Sequence, residues 1–74
     1  MSVKFFLVDG TQQELLDIAK EKQIDPETIC LVNRLEDIQG FREGEIIFGR
    51  TGIFDIDQLS RILQYAYTHG IKVP

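Results

Sequence analysis

The sequence predicts a small α+β domain in which strand, helix, helix and strand follow in that order, with an amphipathic helix and a short third strand added behind them. Three observations predict it. Two short apolar runs, Val3 to Val8 and Glu45 to Phe48, have the β-branched and aromatic content of strands. Between them, Leu15, Ile18 and Ala19 fall on one helical stripe, and Ile29 and Val32 on a second. Near the end, Ile56, Leu59, Ile62, Leu63 and Ala66 recur at helical spacing, with Tyr67 flanking them.

The first strand stops at Asp9-Gly10, a turn dipeptide. Thr11-Gln12-Gln13-Glu14 then has the form of a capping box, in which the Thr hydroxyl and the Glu carboxylate each satisfy a free N–H. The first helix is expected over residues 12–22, with Glu14 and Asp17 placed early, where the helix dipole favours them. Asp25-Pro26-Glu27 is a helix-start signal: Asp25 caps, and Pro26 takes the first position, where its missing N–H costs nothing. The composition of residues 28–32 also suits a buried strand in an alternating β/α fold. The start signal and the spacing of Ile29, Val32 and Leu35 favour the helix.

Residues 36–43 are polar, contain Gly40 and read as a loop. The strand over residues 45–48 is expected antiparallel to the first, with Ile47 facing the helices. Gly49-Arg50-Thr51-Gly52 is a flexible turn. Asp55 with Gln58 starts the last helix, Gly70 stops it, and residues 71–73 can form the third strand. Burying four or five aliphatic side chains of this helix is worth about 1.5–3 kcal/mol each, so it should dock on the same domain.

The series Leu15, Ile18, Ala19, Ile24, Ile29, Val32, Asn33, Leu35, Gly44, Glu45 and Ile47 runs without a gap. It resembles the lysin motif (LysM) family, whose helices read Leu-x-x-Ile-Ala and end in Asn-x-Leu. The resemblance implies a βααβ module over residues 3–48, with residues 49–74 as a helical extension packed on it. It further implies binding without catalysis: a shallow groove holding N-acetylglucosamine polymers of peptidoglycan or chitin type. The groove would be formed by Gly10, Thr11 and Gln12 on one side and by Ile38, Gln39, Gly40 and Phe41 on the other. Ile38 would meet the N-acetyl methyl. This chain departs from the family in its first loop, where Asp9-Gly10-Thr11 sits three residues early and Gln12-Gln13-Glu14 fills the usual register.

Composition narrows the remaining classes. The chain has 74 residues, enough for one domain with a thin core. Twelve acidic against eight scattered basic residues give a net charge of −4, which disfavours nucleic acid. No apolar run approaches the roughly 20 residues that span a bilayer, so membrane insertion is not expected. The single Cys30 excludes an internal disulfide and reads as an apolar filler, and with only His69 for company it makes a metal site unexpected. His69 reads as a helix-end group.

Leu7-Val8-Asp9-Gly10-Thr11 is similar to the Asp-x-Asp-Gly-Thr of haloacid-dehalogenase phosphatases, but Leu7 stands where their nucleophile would be, and a turn is the better reading. Backbone N–H groups of Gly49-Arg50-Thr51-Gly52 could hold an anion. The Gly-Lys-Ser/Thr ending of a phosphate loop is missing, and Asp55 and Asp57 would repel phosphate. No catalytic residue and no cofactor is therefore expected.

Two functions follow. One is glycan recognition at a cell wall. The other is a structural or adaptor role through protein contacts, as in a phage tail or baseplate component, with self-association through the C-terminal helix. Residues 1–8 are apolar too briefly for a signal peptide, so the expected location is cytoplasmic, with virion or cell wall reached after release.

Overall fold

A computed structural model describes residues 3–74. Strand β1 (Phe5–Val8) leads into helix α1 (Gln12–Lys22), and a 3-10 turn (Pro26–Thr28) into strand β2 (Ile29–Val32). A second 3-10 turn (Leu35–Asp37) precedes strand β3 (Glu45–Phe48), and helix α2 (Ile56–Thr68) follows. The sheet has the order β2-β1-β3 and every pairing in it is parallel. Beyond β3, Lys72 makes one parallel bridge to Glu45, donating to Gly44 C=O and accepting from Ile46 N–H, each at 2.8 Å.

Two expectations are corrected here. Residues 29–32 form a strand, and the sheet is parallel where an antiparallel pair of strands was expected. The helix-start signal is real but short-lived. Asp25 Oδ1 accepts from Glu27 N–H at 2.9 Å, and Pro26 takes the first position of a single 3-10 turn. Propagation then meets Thr28-Ile29, two β-branched residues that lose side-chain freedom in a helix. A helix would also bury only Ile29 and Val32. As a strand covered on both faces, Ile29–Val32 uses all four side chains: Ile29 and Leu31 pack toward α1, Cys30 and Val32 toward α2. The second helix of a βααβ arrangement is therefore absent, and the sheet carries one helix on each face.

The alternation of strand side chains builds two cores. On the α1 face Leu7, Leu15, Ala19 and Ile29 are buried, with Phe5, Ile18, Ile24, Leu31 and Ile47 against them. On the other face Phe6, Val8, Val32, Ile38, Ile46, Ile62, Ala66 and Ile71 form the larger cluster. Phe41 meets the ring of Phe6 edge-on with centroids 5.0 Å apart. Residues 49–74 thus share a core with the strands.

The expected N-cap hydrogen bonds form at both helices. Thr11 Oγ1 accepts from Glu14 N–H, and Asp55 Oδ1 accepts from Gln58 N–H at 2.7 Å. His69 is the C-cap of α2 and stacks on Tyr65, and Gly70 (φ 84°) turns the chain in the left-handed region. The chain after β3 passes so close to the end of β1 that a side chain on Gly49 would strike the Asp9 carbonyl and the Gly10 Cα. Gly49→Ala should therefore destabilise by at least about 1 kcal/mol, because both obstacles are backbone. Urea unfolding checks it, and an unchanged midpoint would contradict this packing.

Candidate functional site

In open sheets with helices on both faces, ligands bind outside the carboxyl ends of the strands, where neighbouring strands send their helices to opposite faces. Here that point lies between β1 and β3. Asp9 follows β1 directly, buried and held at φ 62°, and its carboxylate turns into the crevice. It accepts three backbone hydrogen bonds from the loop after β3: Gly52 N–H and Ile53 N–H at 3.0 Å, and Phe54 N–H at 3.3 Å. Asp9 C=O accepts a further one from Thr51 N–H at 3.1 Å.

Glu14 completes the arrangement. Its carboxylate does not return to the start of α1 as a capping box requires. It reaches residues 50–51 instead, accepting from Arg50 N–H at 3.0 Å and from the Thr51 hydroxyl at 3.3 Å. The loop over residues 49–54 is thus a cradle of backbone N–H groups around two carboxylates of the same chain. The anion-holding capacity read from Gly49-Arg50-Thr51-Gly52 exists, and Asp9 and Glu14 use it internally. Charge-assisted bonds of this kind are the stronger ones, and they close the crevice to an external anion.

The groove residues expected from the resemblance are distributed differently. Gly10, Thr11 and Gln12 lie at the carboxyl end of β1, with Thr11 and Gln12 exposed. Ile38 is 0% exposed and sits in the core beneath α2, so its side chain has no surface to offer a sugar methyl. Gln39 and Gly40 are exposed, and Gly40 N–H donates to Tyr65 Oη at 2.9 Å. Phe41 turns inward against Phe6, and Gly44 passes Lys4 C=O and the Phe6 ring. Because β3 is parallel to β1, residues 39–44 must carry the chain back to the amino end of the sheet. The two expected sides of the groove are separated by that return.

An open cleft of about 380 Å³ runs between α1 and β3, with Ile18, Ile47 and Phe48 among its lining and Glu14, Asp17, Glu21, Lys22 and Arg50 around them. Among the described residues no group of three or more His, Cys, Asp and Glu side chains could hold a metal ion. No helix there is long and apolar enough to cross a membrane. Comparison of the chain with family models, curated proteins and solved structures gives no match.

The titration of Cys30 is displaced. Burial pushes its thiol above the ordinary range, and the nearby Asp37 carboxylate adds to that. The thiolate is disfavoured, so alkylation by iodoacetamide at pH 8.5 should be several-fold slower than for free cysteine. The unfolded chain releases this proton first. The contribution to stability is therefore intact below the ordinary thiol range and falls as pH rises through it. An alkylation rate equal to that of free cysteine would contradict the burial.

Asp9 carries a second test. Asp9→Ala leaves the Gly52, Ile53 and Phe54 N–H groups without their charged acceptor and should cost about 1.5–3 kcal/mol. Those amides should also exchange faster with deuterium. Unaltered unfolding and exchange would remove Asp9 from this role.

Proposed function

We propose that the protein is a non-catalytic protein-contact module, a small structural or adaptor domain. One observation carries the reading: the crevice where this architecture receives ligands is filled by the chain's own Asp9 and Glu14, bonded to the loop over residues 49–54. What the molecule offers instead is apolar surface, with Leu16, Phe48, Ile53, Ile56 and Tyr67 all substantially exposed. Exposed apolar side chains on α2 and in the loop before it, beyond what scattered exposure supplies, favour a protein contact. The burial of Ile38 and the inward turn of Phe41 weigh against the glycan groove.

The test uses the ligand that the lysin-motif resemblance implies. Chitooligosaccharides and peptidoglycan fragments, titrated to millimolar concentration, should leave the amide resonances of Gly10, Thr11, Gln12, Gln39, Gly40 and Phe41 in place. Saturable shifts at those amides would overturn the protein-contact reading in favour of glycan recognition.

A further inference from the structure

Helix α2 carries more apolar surface than the sheet beneath it covers. At 100° per residue, Ile62 and Ala66 point into the core, and the half-buried Leu59 and Leu63 lie at its border. Past that border, Ile56, Leu63 and Tyr67 succeed one another on a single flank. Ile56 is 79% and Tyr67 82% exposed. The strip between them is about 16 Å long.

The flank has a definite direction. Gln58 Nε2 donates to Asn33 C=O at 2.9 Å, and Tyr65 Oη accepts from Gly40 N–H at the same distance. These side chains lie roughly 180° around the helix from Ile56 and Tyr67 and tie their own side to the segment that follows β2. The Ile56–Tyr67 flank therefore overhangs the opposite edge, where, among the described residues, β3 is bordered by the single bridge at Lys72. Phe48 ends β3, and Ile53 stands in the loop that leads to α2, 75% exposed.

Resting on the protein-contact reading, we propose that this flank is the interface of a twofold homodimer, with α2 antiparallel to α2 of a second copy. Three features favour a second copy as the occupant. First, Ile56 and Tyr67, with the half-buried Leu63 between them, bare on the order of several hundred Å² in one strip, more than scattered apolar exposure and the right order for the core of an interface of about 800 Å² per partner. Second, the strip is bordered on its solvent side by the exposed and neutral Ser60 and Gln64, with one acidic side chain, Asp57, at the N-terminal end of that border. Two copies, each of charge −4, would repel wherever acidic faces meet, and the antiparallel pairing sets the two Asp57 side chains toward opposite ends of the strip, so that along α2 neither faces the other. Third, the spacing is self-complementary. With Ser60 and Leu63 at the centre, Ile56 of each copy meets Tyr67 of the other. The small Ser60 lets the axes approach to about 8–10 Å, and the positive end of each helix lies against the negative end of its mate.

Sedimentation equilibrium of the full chain from about 10 µM to 1 mM tests it. The mass should rise from 8.5 kDa toward twice that value. Tyr67→Glu and Ile56→Glu should each raise the dissociation constant by roughly tenfold or more with the circular dichroism unchanged, since both side chains lie outside the core. Leu16→Glu, on α1, should leave the constant as it is. In a Cys30→Ser chain, Ser60→Cys should oxidise to a covalent dimer. A single-chain mass near 1 mM, or a dissociation constant indifferent to Tyr67→Glu, overturns the homodimer. Neither result touches the protein-contact reading, which stands or falls on the sugar titration.

Discussion

The burial of β1 on both faces is the constraint from which the rest of the fold follows. Phe6, Leu7 and Val8 are all fully buried, and successive strand residues point to opposite sides. A single helix can cover only one side of such a strand. The chain therefore supplies α1 over Leu7 and α2 over Phe6 and Val8, and it sets a strand on each edge of β1. Parallel pairing comes with this arrangement, because each crossover lays its connection across a face of the sheet. With so few strands, neither core is thick, and each depends on a handful of large side chains.

The parallel arrangement also determines where polar groups must be satisfied. All three strands end at the same edge, so the turns after β1 and β3 lie side by side. Backbone N–H groups crowded there need acceptors. Asp9 and Glu14 provide them, one from the turn after β1 and one from the first turn of α1. A position that receives a ligand in larger open sheets with helices on both faces is here part of the protein's own structure.

Much of this was legible in the sequence. The runs at residues 3–8 and 45–48, the capped stripe at residues 12–22, and the Asp55-to-Gly70 helix all carry periodicity or capping that their surroundings reinforce. Residues 28–32 misled because Ile29 and Val32 are three apart, a spacing that both a helix and a strand can bury. The better signals were the brevity of the run and its kinship with Phe5-Phe6-Leu7-Val8: four consecutive apolar residues, suited to a strand with no solvent face. The Asp9 and Glu14 contacts were not legible. They join residues 36 to 45 positions apart, and no local pattern encodes which N–H groups a carboxylate will meet after the sheet has formed. Thr11-Gln12-Gln13-Glu14 reads as a self-contained cap, and only the nearness of residues 50–51 diverts Glu14 from it.

That diversion has a kinetic consequence. The β1–α1–β2 unit can assemble from contacts close in sequence, whereas the carboxylate clasp must wait until β3 has docked and the following turn has swung over the strand ends. Contacts made after the folding barrier act as a brake on the reverse reaction and leave the forward rate nearly unaltered. If the clasp closes on the native side of the barrier, Glu14 and Asp9 govern how long the native state persists once formed, more than how quickly it is reached.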